Sequence, residues 1–89
     1  MTLVYVAEAR MDGATIRKTR EIFEGLANSH QDVMLDMSAV EYIDCSGVGA
    51  IVYLLKRLRA SGHSIKVVNL KGQPSRLFAE LRLHNVVGR

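Results

Sequence analysis

A chain of 89 residues, 48% of them hydrophobic, suits one compact domain over residues 1–89, and no apolar run approaches the ~20 residues of a membrane-spanning helix. Its net charge is +3, and because the basic side chains are dispersed and not interleaved with aromatic residues, we expect no direct binding of nucleic acid. A single cysteine, three widely separated histidines (His30, His63 and His84) and the lack of an export signal predict a cytoplasmic protein with no internal disulfide, no metal and no other cofactor.

The first half of the sequence alternates strand-like and helix-like segments. Residues 3–9 are rich in Val and Tyr, which favour strands, and the turn-forming sequence "MDG" follows them. From Ala14 onward, apolar positions recur at spacings of three, four and seven, which predicts an amphipathic helix ending near "ANSHQD". The segment "DVMLDMS" has apolar residues on both faces, which is typical of a buried central strand.

The second half repeats this alternation. A second helix is predicted to begin close to Ser46, with apolar positions at Val48, Ile51, Val52, Leu55 and Leu58 and a glycine stop at "SGH". The β-branched segment "SIKVVNL" predicts a third strand, and Pro74 is suited to the first position of a third helix. The βαβαβα order predicts an α/β domain with helices packed on a mainly parallel sheet. The predicted core comprises Val33, Leu35, Ile51, Leu55, Val67 and Phe78.

The junction before the second helix, "EYIDCSGVGAIVYLL", carries the unusual chemistry of the chain. In parallel sheets, ligands and partners meet the loops that leave the carboxyl ends of the strands, and this junction is one of them. Turn geometry alone explains the glycines. Turn geometry does not explain why the junction contains Asp44, Cys45 and Ser46.

Two catalytic or ligand-binding explanations of the junction lack their motifs. The sequence "GVGAIV" has no third glycine for a dinucleotide loop, and no phosphate-binding G-x-x-x-x-G-K-[ST] occurs. "DCSGV" is not a G-x-S-x-G nucleophile turn, and no histidine has a motif that marks it as a base. We therefore predict that the chain is not an enzyme.

Two explanations of Ser46 remain open on the residues alone. Its hydroxyl could cap the second helix. Alternatively, a kinase could modify it, adding about −1.5 to −2 charges at pH 7 next to Asp44. Because a helix N-terminus tolerates negative charge, such a phosphate would alter a binding surface more than the fold.

The segment from "VMLDMS" to "LFAELRL" resembles a STAS domain, the fold of bacterial anti-sigma factor antagonists. A strand ending in Asp36-x-Ser38 precedes an Asp-x-Ser-Gly loop at residues 44–47, and a long helix, the strand "IKVVNL" and "PSRLFAELRL" follow in the family's order. Upstream, "ARMDGAT" is similar to the start of the family's first helix, where Asp12 matches the family's Asp. The resemblance covers most of the chain.

The resemblance implies a fold and a function. The fold is a mixed, mainly parallel sheet with helices chiefly on one side. Ser46 is expected to be phosphorylated by a GHKL-type partner that is both anti-sigma factor and serine kinase, and a phosphatase would reset the switch. The expected partner-binding positions are Asp12, Ser38, Asp44, Cys45, Gly47 and Val48.

The chain departs from the family pattern at two places. The family has one more strand before residues 3–9, so the sheet could be one strand short or have its edge covered by a partner, and a homo-oligomer is allowed. Cys45 stands where the family often has Ser or Thr, and we expect it to be small, inert and at least half-buried. The alternative function is that of a STAS accessory subunit that binds a lipid-transport ATPase without phosphorylation, although such subunits tend to have Gly at the position of Ser46.

Overall fold

The strands and helices alternate as the sequence predicts, with two short strands added. The computed structural model describes residues 2–83, so that His84 and the last residues of the predicted domain lie outside the described part. The elements are β1 Thr2–Val6, β2 Arg10–Met11, α1 Ile16–Ala27, β3 Asp32–Asp36, β4 Tyr42–Ile43, α2 Cys45–Ala60, β5 Ile65–Val68 and α3 Gly72–Glu80.

The main sheet has three strands in the order β1-β3-β5, and both pairs are parallel. The central position of β3, predicted from its apolar character, is confirmed. Val33 and Leu35 of β3 are buried, whereas Val4 and Val6 on the opposite face of β1 are 62% and 53% exposed. The helices therefore cover mainly one face of the sheet, as expected for this α/β class.

A second, two-stranded parallel sheet joins β2 to β4, with Arg10 opposite Tyr42 and Met11 opposite Ile43. The sequence analysis missed both strands, since it ended the first strand at residue 9 and treated the residues before α2 as a loop. Two residues are too few to show a period, and their pairing partner lies far away in the chain. The βαβαβα order is thus correct for the longer elements and incomplete for the short ones.

The core lies between the main sheet and the helices. All six residues predicted for it are buried, at 8% exposure or less. The sequence missed Leu54, which is fully buried on α2, and assigned to the apolar stripe Val52, which is only partly buried. A helix enclosed on a wide arc buries residues outside the narrow stripe that periodicity detects.

Helix α3 begins two residues before the predicted start. Its first residue is Gly72, and Pro74 lies within the first turn, where its missing N–H still costs no helical hydrogen bond. The side chain of Gln73 fixes this helix to β4. Its amide oxygen accepts from the N–H of Ile43 at 2.9 Å, and its amide nitrogen donates to the carbonyl of the same residue at 2.8 Å.

Candidate functional site

Asp44 organises the junction between β4 and α2. Its Oδ1 accepts hydrogen bonds from the N–H groups of Ser46 at 2.9 Å and Gly47 at 3.2 Å, which caps α2. Its Oδ2 accepts from the N–H of Gly13 at 3.0 Å. One carboxylate therefore starts α2 and ties it to the turn before α1. The cap that Ser46 was considered for is made by Asp44, so that explanation of Ser46 is wrong.

Ser46 is the second residue of α2 and is exposed. Its Oγ forms no hydrogen bond with any residue in the range 2–83. A Cβ atom built on Gly13 would lie 3.9 Å from this oxygen and 3.9 Å from Asp44 Oδ2, so the turn before α1 runs beside the hydroxyl. The structure thus presents an accessible hydroxyl on a loop held by hydrogen bonds.

Asp12 holds the turn that Asp44 contacts. Its carboxylate accepts from the Arg10 guanidinium at 2.6 Å and from the N–H groups of Ala14 and Thr15 at 3.1 and 3.2 Å. The residue is only 6% exposed. The hydrogen bond from Arg10 is the main reason that the pKa of Asp12 lies below its ordinary value. Asp12 therefore stabilises the turn from a buried position, and little of its own surface is accessible to a partner.

Gly47 and Val48 are also buried. A Cβ atom on Gly47 would lie 2.3 Å from the carbonyl oxygen of Met11 and 2.7 Å from Cγ1 of Ile43. The start of α2 therefore packs directly on the small β2–β4 sheet. These two positions, predicted to contact a partner, lie inside the domain in the unbound structure.

Cys45 is exposed, which corrects the expectation that it is at least half-buried. It is the first residue of α2, and the buried face of that helix begins only at Gly47. Its side chain lies next to Ser46 on the surface. Both residues border a groove between the two long helices.

This α1–α2 groove is lined by Arg20 and Glu24 from one helix and by Cys45, Ser46, Gly49, Ala50 and Tyr53 from the other. Its volume is ≈ 460 Å³. The sequence analysis missed it, because the two walls come from helices whose relative placement no local pattern specifies.

Ser38 occupies a separate turn after β3. It is exposed, and its N–H donates to Asp36 Oδ1 at 2.9 Å, an oxygen that also accepts from Asn69 at 3.1 Å. These hydrogen bonds lower the pKa of Asp36, that from Ser38 most of all. Among the described residues, no hydrogen bond joins Ser38 to Asp44 or Ser46. The structure brings together Asp12, Asp44 and Ser46 and leaves Ser38 at a distinct turn.

The family model for the STAS domain matches residues 1–88. The chain belongs to the STAS domain family. Its fold is similar to that of a candidate anti-sigma factor antagonist from Thermotoga maritima, with a TM-score of 0.80, 22% identity and coverage of 94% of this chain and 75% of that chain. The anti-sigma factor antagonist SpoIIAA in its unphosphorylated form matches with a TM-score of 0.69, 16% identity and coverage of 88% and 73%.

The same fold also occurs inside a membrane transporter. The chain matches the murine solute carrier 26 anion transporter with a TM-score of 0.76 and 19% identity, covering 89% of this chain and 13% of the transporter. At such identities the likeness concerns the fold alone. The resemblance to the STAS family is confirmed, and STAS domains are generally binding modules.

Among residues 2–83, the main sheet of this STAS domain has two edge strands, β1 and β5, and β1 is the edge at which the sequence analysis expected a missing strand. The inner edge of β1 pairs with β3, and nothing in residues 2–83 pairs with its outer edge. The same range contains no group of three or more His, Cys, Asp or Glu side chains placed to hold a metal. None of its helices combines the length and apolar character that crossing a bilayer requires.

The ion pair of Asp12 gives the STAS domain a pH-dependent stability. Because the folded pKa of Asp12 lies below the ordinary 3.8, its contribution is present above about pH 4 and is lost as the pH falls through the folded pKa. Asp12→Asn should therefore lower the free energy of unfolding at about pH 7, and the gap to wild type should narrow at about pH 3. Urea titrations at both pH values measure it. If the difference in free energy of unfolding between Asp12→Asn and wild type were the same at both pH values, the loss would come from packing and not from the charge of Asp12.

Proposed function

We propose that this STAS domain is a regulatory binding module of the anti-sigma factor antagonist type, switched by phosphorylation of Ser46. The observation that supports it is the exposed Oγ of Ser46, which has no hydrogen-bond partner in the described part of the chain and stands on a loop that Asp44 fixes. A kinase needs such a hydroxyl. A serine that capped the helix would have its oxygen engaged.

The switch operates through charge at the surface. The kinase transfers the γ-phosphoryl group of ATP to Ser46 Oγ, and ADP and the hydroxyl proton leave. Asp44 already accepts hydrogen bonds from the N–H groups of Ser46 and Gly47, which leaves fewer amides at the N-terminus of α2 for the phosphate. The phosphate would stand beside a carboxylate on an exposed residue, where its charge changes the surface that a partner meets.

The partner is proposed to be an anti-sigma factor that is also a serine kinase of the GHKL type. The unphosphorylated domain binds it and thereby frees the sigma factor, and a phosphatase restores the binding form. Cys45 and Ser46 are the proposed contacts on the loop, and Ser38, which is also exposed, is a proposed contact on the separate turn after β3. The buried residues Asp12, Gly47 and Val48 keep the loop in shape. Regulation of a sigma factor takes place in the cytoplasm.

Binding rather than catalysis fits the surroundings of Ser46. A serine nucleophile needs a base within hydrogen-bond reach. Among residues 2–83, no side chain forms a hydrogen bond with the Ser46 hydroxyl. The domain therefore acts as the substrate of a kinase in this proposal.

Mapping of the modified residue tests the proposal. The chain is incubated with ATP and a GHKL-type kinase encoded near its gene, and the product is analysed by mass spectrometry. We expect one phosphate, on Ser46, and none on Ser46→Ala. Ser38→Ala and Ser75→Ala are the matched controls and should be modified like wild type. Phosphate on Ser38 or Ser75 would contradict the assignment and favour the transport-accessory alternative.

The reactivity of Cys45 tests where the partner binds. The thiol is exposed, adjoins Ser46 and belongs to the only cysteine of the sequence, so labelling with a maleimide reports on this loop alone. We expect rapid labelling of the free domain and at least about tenfold slower labelling in the complex, since buried contacts concentrate at the centre of an interface. Unchanged labelling in a complex that forms stoichiometrically would place the interface elsewhere.

A further inference from the structure

The α1–α2 groove lies between two helices that run side by side in the same direction. At one end, Arg57 donates to Asn28 at 2.8 Å, and one turn earlier Tyr53 donates to Glu24 at 3.1 Å. Glu24 also pairs with Arg57. One further turn back along both helices, Arg20 comes opposite Gly49 and Ala50, and Ser46 follows at the open end. Arg20 and Ser46 line the same groove, and helical side chains lean toward the N-terminus, which on α1 is the direction of the Ser46 end.

Of the two charged side chains that line this groove, Glu24 has partners and Arg20 has none among residues 2–83. The carboxylate of Glu24 is engaged by Arg57 and Tyr53, and the hydrogen bond from Arg57 is the main reason that its pKa is lowered. Arg20 is exposed and forms no ion pair with any residue in the range 2–83. The groove therefore holds a guanidinium without an anion and, on the opposite wall, a hydroxyl without a partner.

The groove has room for a larger group at that hydroxyl. Its volume of ≈ 460 Å³ is many times the ~30 Å³ that one water molecule occupies in the liquid. Gly49 contributes to this space, since a Cβ atom built on it would have no neighbour within 4 Å. The space beside Ser46 is therefore large enough for a phosphate group.

We propose that Arg20 receives the phosphate of phosphorylated Ser46 across the α1–α2 groove. This inference rests on the proposed function and names the residue that holds the modified state. Asp44 occupies the N–H groups of Ser46 and Gly47, whereas the guanidinium of Arg20 lines the same groove as Ser46 and, among residues 2–83, is free to pair with an added anion. A guanidinium is suited to this, because its planar donors match phosphate oxygens in pairs. Modification thus adds an α1–α2 contact that the unmodified domain lacks.

The test uses protein in which phosphoserine is incorporated at position 46 during translation, so that no kinase is needed. The second pKa of the phosphate, ordinarily about 6, is measured by ³¹P NMR in wild type and in Arg20→Ala. An adjacent cation favours the dianion, so we expect the pKa in Arg20→Ala to be about half a unit higher. Arg20→Lys should retain part of the effect.

Arg17→Ala is the matched control. Arg17 is an exposed cation on the same helix, but it lines a different groove, between α1 and β1. It should leave the phosphate pKa within about a tenth of a unit of wild type. The unphosphorylated Arg20→Ala variant should keep the wild-type thermal midpoint, which excludes a general structural effect.

Equal phosphate pKa values in wild type and Arg20→Ala would overturn the inference, and so would an equal shift in Arg17→Ala. The titration can be carried out whether or not a kinase modifies Ser46, because the phosphoserine is incorporated during translation. A failure of the kinase to modify Ser46 would contradict the switch and leave the titration valid. If the phosphate pKa were the same in Arg20→Ala and wild type, the role of Arg20 would be contradicted, but the proposed switch at Ser46 would not.

Discussion

Gly47→Ala should destabilise the domain by about 3 kcal/mol, near the upper end of what overpacking costs. The added Cβ would lie 2.3 Å from the carbonyl oxygen of Met11, and this atom belongs to the backbone of β2. Backbone in a paired strand cannot move aside as a flexible side chain can. The start of α2 must therefore shift, which strains the hydrogen bonds that Asp44 makes with Ser46 and Gly47.

Gly49→Ala is the matched control, two residues further along the same helix. Nothing lies within 4 Å of a Cβ atom at this position. Because Ala is more favourable than Gly inside a helix, we expect it to be more stable than wild type by about 0.5–1 kcal/mol. Urea denaturation followed by circular dichroism measures both variants. A loss of similar size at the two glycines would contradict the close approach of α2 and β2.

Leu54→Ala should destabilise the domain by about 2–5 kcal/mol. The side chain is fully buried on α2, at 0% exposure, and its truncation leaves a cavity among well-packed neighbours. Since small domains have about 5–15 kcal/mol of stability in total, the variant could be partly unfolded at room temperature.

The control for this cavity is Leu81→Ala, where the same side chain is removed from a residue that is 43% exposed. It should change the free energy of unfolding by less than about 1 kcal/mol. Thermal and urea midpoints of the two variants are compared with those of wild type. If Leu54→Ala were as mild as Leu81→Ala, the packing of α2 described above would be wrong.

Periodicity predicted the core well where an element has one buried face. Val33 and Leu35, two residues apart on β3, are buried as predicted, whereas the opposite face, which apolar Met34 suggested was also buried, is only half-buried. Leu54 was missed because α2 is buried on a wide arc. The strands β2 and β4 were missed because two-residue strands exist only through their pairing, which joins residues about thirty positions apart in the chain.

The candidate site was predicted in part. The family resemblance selected Asp12, Asp44 and Ser46, which the hydrogen bonds of the Asp12–Gly13 turn bring together. It could not show that Asp44 rather than Ser46 caps α2, because either side chain satisfies the local pattern of a cap. Arg20 stayed hidden for a different reason. Its relation to Ser46 depends on the alignment of α1 with α2, which tertiary packing determines.

Partner binding by the two phosphorylation states tests the central claim most directly. The anti-sigma kinase is titrated by calorimetry with unmodified protein, with protein carrying phosphate on Ser46, and with Ser46→Ala. We expect unmodified protein and Ser46→Ala to bind alike and the phosphorylated form to bind at least about tenfold more weakly, about 1.4 kcal/mol, with an unchanged thermal midpoint. Indistinguishable affinities of all three forms would contradict the switch.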